Sequence, residues 1–310
     1  MPATSRSMIR CRLGLNQPAH SPTVARLTEM ADAINAEADG AFRLEVHPES
    51  RLGPDPQMFA DVQAGRLEFF ASGAGLAGIA LASALPLLPF AFSDSARVFA
   101  ALDGGLGDII RGELAAAGLQ ALGFMQNGFH HLTTSNRPVA TADDFKGLKI
   151  RSPGGAMAAD FFAALGAEAG MVPFNEMYGA LKTKRFDGQS DPHQVVINLK
   201  LYEVQTYLSL TRHWWSGFTL LAHKATWDAL PAPIRDIVAC HATECARRQR
   251  ADIEAVNAAG ETQLAQLGMV VNTADTSGVR ARLGDFYARW KAKFPPATWR
   301  QLEAHADGLD

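Results

Sequence analysis

The chain has 310 residues, which at roughly 100 to 200 residues per domain predicts two domains or one large one. Its 47% apolar and 20% charged residues exclude a disordered chain and predict sizeable cores. Lys+Arg number 29 and Asp+Glu 32, a formal net charge of -3 without any polybasic run, so no nucleic-acid or anionic-membrane partner is expected.

At the N-terminus, MPATSRSMIRCR is short, basic and polar, lacks the apolar run of a secretory signal, and reads as irregular over residues 1–10. Apolar residues then alternate over 10–16, predicting a strand. Ser21-Pro22 opens a helix whose Val24, Leu27, Met30, Ala31 and Ile34 recur at three-to-four spacing until Asp39-Gly40 stops it. A strand is expected over 42–47, a helix over 55–64 closed by Gly65, and a third strand over 67–71. Strands separated by such helices predict parallel sheets covered on both faces. The apolar stretch 76–92 is broken by Pro86 and Pro89 and falls short of a membrane span; it reads as buried core and loop.

Further strands are expected over 119–125, 148–151, 171–174 and 207–211, with helices over 156–167 and 175–183. Between 233 and 267 the apolar positions Ile234, Val238, Ala242, Cys245, Ile253, Val256, Leu264 and Leu267 keep helical spacing. At 1.5 Å per residue this helix would be roughly 50 Å long, more than a single domain of about 150 residues is wide. It predicts a brace across two α/β lobes, bent near Gly260, with a cleft where ligands of α/β folds bind at the carboxyl ends of strands.

The hexamer Gly73-Ala74-Gly75-Leu76-Ala77-Gly78 spells GxGxxG, but Pro86 and Pro89 interrupt the helix a dinucleotide site needs and no acidic strand end follows. Hydrolase, P-loop and metal signatures are absent, so no catalytic residue, cofactor or metal is expected. Cys11, Cys240 and Cys245 are too few and too oddly spaced for a disulfide framework and read as small buried or half-buried hydrophobes. The adjacent His130 and His131 would point to opposite faces of a strand, so they cannot share a metal. His213 reads as a structural histidine. Arg151 differs in kind: it ends the strand 148–151 before Ser152-Pro153-Gly154-Gly155, a position from which its planar fork can hold a carboxylate by two parallel hydrogen bonds.

The run FKGLKIRSP over 145–153, then VPFNEMYGALKTKRFDGQSDP over 172–192 and YEVQTYLSLTRH over 202–213, resembles the solute-binding proteins of tripartite ATP-independent periplasmic (TRAP) transporters. There the corresponding stretches read approximately GLKIRVP, PFSEVYxALQxGxVDGQENP and YEVQKYLxxTxH. ESRLG over 49–53, AGRLE over 64–68, LPFAFSD over 88–94 and TTSNRP over 133–138 are similar too, and the likeness runs in order from about Leu13 onward. The resemblance implies a periplasmic-binding-protein-like α/β fold with two hinged lobes, lobe I over 11–128 plus 217–256 and lobe II over 129–216 plus 257–310. It also implies a periplasmic receptor, monomeric by default, that binds a small organic acid and delivers it to TRAP permease subunits in the membrane.

Carried over residue by residue, Arg151 lies on the family's carboxylate-binding arginine and Phe174 on a residue that packs against ligand. Asp191 stands where the family has Asn. An ionised Asp accepts but cannot donate, and it repels a second carboxylate, which argues against dicarboxylates. Asn16, Ser72 and His131 are further candidates, with Trp214 and Trp215 as an aromatic wall, a set suited to a monocarboxylate with an aromatic or hydroxylated body. The competing expectations are an α/β enzyme acting on a carboxylic acid, with His131 or Asp191 as base, and a stand-alone sensor on the same fold.

Overall fold

A computed structural model of the chain describes residues 8–73, 75–153 and 155–309. Most of the expected segment 1–10, together with Ala74 and Gly154 of the two glycine-rich stretches, lies outside the described residues. The chain divides into two compact units: residues 1–72, 114–125 and 218–252 form the first, and residues 73–113, 126–217 and 253–310 the second. Each unit is assembled from three separate stretches of the chain.

The first unit is built on β1 (Ile9–Gly14), β2 (Phe42–His47), β3 (Phe69–Ser72), most of β4 (Leu119–Phe129) and most of β10 (Trp215–His223), in the order β2-β1-β3-β10-β4. β1 runs parallel to β2 from Ile9↔Phe42 to Gly14↔His47 and parallel to β3, whereas β10 returns antiparallel to β3. The parallel pairs need crossover helices, which the sequence supplies. In the helix Pro22–Glu37, Pro22 is pre-set for the first turn and the Ser21 hydroxyl accepts from the Val24 N–H at 3.3 Å. Its buried stripe of Val24, Leu27, Met30, Ala31 and Ile34 joins Cys11, Leu13, Phe42, Leu44 and Phe69 in one core.

The sheet of the second unit is formed by β5 (His131–Thr134), β6 (Lys149–Arg151), β7 (Glu168–Gly170), β8 (Gly188–Asp191), β9 (Tyr207–Leu210) and β11 (Val270–Thr273), in the order β11-β9-β5-β8-β6-β7. β6 is parallel to β7 and β8, β11 is parallel to β9, and β5 is antiparallel to both its neighbours. The strand expected over 171–174 does not form. Pro173 has no N–H for a ladder, so the chain pairs earlier, through β7, and turns at Phe174–Glu176 as a short 3-10 segment. No α-helix opens at the GxGxxG stretch either; a 3-10 turn Leu76–Gly78 follows Gly75, whose φ of 86° suits glycine.

The long helix spans Ala232–Gln266 and gives residues up to Asp252 to the first unit and the rest to the second. Gly260 has a packing reason. A Cβ there would meet the His193 Cβ at 2.4 Å, so the helix can approach His193 only where it lacks a side chain. Cys11 and Cys245 are buried, and burial pushes both thiols up to about 12, leaving them inert hydrophobes. Cys240 departs from the expectation: it is exposed.

Candidate ligand-binding site

Arg151 is the last residue of β6 and pairs in register with Gln189 of β8. Asp191 follows two residues along β8, so all three side chains share one face of the sheet. β5 extends that face, with Thr133 opposite Gln189 and His131 opposite Asp191. Within it, Arg151 Nη1 donates to Asp191 Oδ2 at 2.9 Å and Nη2 donates to the Val172 carbonyl at 3.3 Å. Both members of the ion pair are only 4% exposed. Burial raises the Asp191 carboxyl to about 6 although Arg151 pulls it the other way, because removing a carboxylate from water costs more than one guanidinium contact returns.

The fork is not saturated. Arg151 Nε is buried with no partner on the protein, and so are Trp214 Nε1, Trp215 Nε1, Gln189 Oε1 and His193 Nε2. Each such group costs about 1 to 3 kcal/mol if nothing meets it. Gln189 shares the sheet face of Arg151, and His193 stacks on His131 of that face; unmet polar groups there are what a site awaiting a polar ligand presents.

Ser190, between Gln189 and Asp191, faces the other way into a run of buried hydrogen bonds. Asn127 Nδ2 donates to Ser216 Oγ at 2.9 Å, and Ser216 Oγ lies 2.7 Å from His130 Nε2. His130 Nδ1 lies 3.0 Å from both the carbonyl and the hydroxyl of Ser190, whose Oγ is 2.8 Å from His213 Nε2. His213 Nδ1 ends the run at Thr211 Oγ1, 2.7 Å away. A carbonyl can only accept, so His130 carries its proton on Nδ1 and Ser216 donates to Nε2, while His213 bridges two hydroxyls, one ring nitrogen donating and the other accepting. Burial depresses the His130 pKa to about 3 and that of His213 well below its usual value, consistent with neutral rings. His213 is thus structural, and the two adjacent histidines diverge: His130 bonds to Ser190 while His131 lies beside Asp191.

His131 stacks on His193 with ring centroids 4.3 Å apart, and its Nδ1 accepts from the Arg212 N–H at 3.4 Å. Burial first, then His193, holds it well below its usual pKa, so it adds no second cation beside Arg151. Phe174 packs with Val172, Met177, Leu181 and Val195 in the apolar core beneath the Val172 carbonyl that Arg151 uses. Trp214 is buried among Phe161, Phe162, His130 and His213, and Trp215 meets Phe99 edge-on at 5.5 Å.

Arg151, Phe174, Asp191, His131, Trp214 and Trp215 therefore all belong to the second unit, and Asn16 and Ser72 to the first. Asn16 Nδ2 donates to Asp55 Oδ2 at 2.8 Å, while Ser72 closes β3 opposite Thr219 of β10. Sequence reasoning did not single out Gln189 and His193; the register of β8 brings in the first and Gly260 the second. A cavity of about 60 Å³ in the first unit, lined by Arg26, Glu29, His241, Glu244 and their neighbours, contains none of the candidates. Among the described residues no cluster of His, Cys, Asp and Glu could hold a metal ion, and no helix is long and apolar enough to cross a membrane.

Comparison with known proteins accords with this geometry. The family described as bacterial extracellular solute-binding protein, family 7, matches residues 13–293. The 2,3-diketo-L-gulonate-binding periplasmic protein of Escherichia coli (strain K12) is 34% identical over 220 residues, covering 71% of this chain and 67% of that protein. Among solved structures, a TRAP periplasmic solute binding protein from Xanthobacter autotrophicus Py2 with bound β-D-galacturonate is 28% identical with a TM-score of 0.89, covering 95% of this chain and 98% of that one. Another, from Polaromonas sp. JS666 and bound to D-erythronate, is 27% identical with a TM-score of 0.90, covering 96% and 97%. An α/β chain matched over nearly its whole length, with a buried arginine at a strand end, belongs to family 7 of the bacterial extracellular solute-binding proteins, the TRAP solute-receptor family.

Proposed function

We propose that this protein is the receptor of a TRAP transporter for a hydroxylated monocarboxylate of the sugar-acid class, that Arg151 takes the carboxylate, and that the receptor passes its solute to membrane permease subunits. The observation that carries the reading is the buried, under-satisfied guanidinium of Arg151 at the end of β6. The unpartnered Gln189 Oε1, on the sheet face of Arg151, and the indole N–H of Trp215 are suited to ligand hydroxyls, and Phe174 to the carbon skeleton. Three relatives support the class: their names or bound ligands are 2,3-diketo-L-gulonate, β-D-galacturonate and D-erythronate, each a monocarboxylate bearing hydroxyls. The Asp191 carboxyl group beside the arginine leaves a second ligand carboxylate no cation to meet, which disfavours a dianion.

Calorimetry with D-erythronate, D-galacturonate, 2,3-diketo-L-gulonate and succinate tests the proposal. At least one sugar acid is expected to bind and succinate to fail. Arg151→Ala should weaken binding by about 2 to 5 kcal/mol, since it removes one partner of a buried charge pair. Near-wild-type affinity in that variant, or binding of succinate alone, would overturn the reading.

A further inference from the structure

The counter-ion of Arg151 on the protein is Asp191, held at 2.9 Å with both groups almost fully buried. A ligand carboxylate arriving at the same fork creates a site with two carboxyl groups and one guanidinium. Arginine stays protonated throughout, so the buried site carries no net charge before the ligand binds and one negative charge afterwards, unless a proton enters with it. Two carboxyl groups sharing one site cannot both remain ionised cheaply. From this geometry, and resting on the function proposed above, we infer that the receptor binds its organic acid together with one proton, which Asp191 takes from solvent as the ligand carboxylate replaces it on Arg151. The exchange balances: the Arg151–Asp191 ion pair, the ligand carboxylate and one proton become the Arg151–ligand ion pair and a neutral Asp191 carboxyl. Neutral Asp191 then has an O–H to donate, so it becomes a second donor to the ligand beside the arginine.

The surroundings leave Asp191 as the group to do this. On β6 its neighbour is Arg151 and on β5 it is His131. His193 stacks on His131, and the segment entering β10 contributes Arg212, whose backbone N–H holds His131, and His213. His130 and His213 are tied on the opposite side, through Ser190. His131, His130, His213 and His193 are all pushed by burial toward their neutral forms, whereas burial brings the Asp191 carboxyl close to neutrality, at about 6. Coulombic repulsion from a bound carboxylate moves it further in the same direction. The specificity consequence is a preference for monoanions, because a second fixed charge on the ligand would require a second proton.

The test is calorimetry of the wild-type chain with D-erythronate and D-galacturonate at pH 6 to 8.5, each pH in two buffers of different ionisation enthalpy. Uptake of nearly one proton per ligand is expected at pH 7.5, with affinity falling about tenfold per pH unit above 7, the equivalent of 1.36 kcal/mol. D191N should bind without proton uptake and with a flat pH profile, and H193Q should keep the wild-type slope. A flat profile with no proton uptake in the wild type overturns the inference while leaving the receptor reading intact. Transfer of the effect to His193, seen as a flat H193Q profile, overturns the assignment to Asp191. If neither acid nor any other in the panel binds at any pH, the receptor reading fails and the inference falls with it. The wild-type measurement decides even if D191N does not fold.

Discussion

The two sheets solve the same packing problem with opposite materials. In the first unit the strands bury hydrophobes, Cys11 and Leu13 on β1, Phe42 and Leu44 on β2, Phe69 and Ala71 on β3, so the sheet is held by apolar burial of about 25 cal/mol per Å². In the second unit β5 reads HLTT and β8 reads GQSD, every residue is buried, and the sheet is held by side-chain hydrogen bonds and one ion pair. Among the described residues all the fully buried histidines lie in the second unit. Apolar burial is non-directional and tolerates repacking. A buried polar lattice is costly unless every group finds its partner, but it can hold unpaired donors ready for a ligand. The first sheet is thus held by burial that tolerates exchange, and the second by polar groups that each need a partner.

Acid should separate the two most strongly. His130 has a folded pKa of about 3 against 6.5, so the native state binds fewer protons between those values; its contribution is complete above pH 6.5 and is lost as pH falls toward 3. At 1.36 kcal/mol per pH unit this is worth roughly 5 kcal/mol, and His131 and His213 act with the same sign. Asp191 works in the opposite direction. Its folded pKa of about 6 lies above 3.8, so its contribution is present below pH 3.8 and disappears as pH rises through 6, offsetting roughly 3 kcal/mol of the acid loss. Hydrogen exchange between pH 7 and 4.5, corrected for intrinsic rates, should show β5, β8 and β9 losing protection well before β1–β3; equal loss in both sheets would erase the distinction.

Phe42→Ala probes the apolar side. A cavity under β2 should cost about 3 to 5 kcal/mol in urea unfolding, by the same amount at pH 7 and pH 5. A pH-dependent cost would mean that the first core is coupled to the titrating groups of the second. Smaller again, Gly260→Ala sets two effects against each other. Alanine gains up to about 1 kcal/mol of helix propensity, but its Cβ would lie 2.4 Å from that of His193, and overpacking of this kind costs about 1 to 3 kcal/mol. Net destabilisation is expected, whereas Gly112→Ala, with nothing within 4 Å, should stabilise. If both variants behaved alike, the close crossing of helix and His193 would not be the reason for the glycine.

The parts legible in the sequence were those with periodicity or resemblance. The helix Pro22–Glu37 with its cap and the 35-residue helix were visible because apolar residues recur every three to four positions. Arg151 was visible because a cation ended a strand before a turn, and its role came from likeness to a family. β5 and β8 were invisible as strands because HLTT and GQSD have no apolar alternation; their strand character arises only when their polar side chains find partners across the sheet. The Arg151–Asp191 bond was out of reach for the same reason. The two residues are 40 apart in sequence, and only the parallel register of β6 with β8 brings them together. The sequence offers Asp191 as a partner for the ligand; that it is a partner for Arg151 follows from the register.

The hydrogen-bonded run from Asn127 to Thr211 also has a direction, and direction restricts sequence drift. Asn127 enters the run through an amide nitrogen that can only donate, so Ser216 must accept from it and donate to His130, which in turn donates to the Ser190 carbonyl. Exchanges that keep this handedness, such as serine for threonine at Ser216, leave the chain readable from end to end. Asn127→Asp removes the donor at its head and lets the Ser216 O–H turn toward the new carboxylate, which leaves His130 Nε2 without its partner while the Ser190 carbonyl still holds the His130 proton on Nδ1. The restriction therefore falls on Asn127, Ser216 and His130 as a set, and not on the hydroxyls beyond.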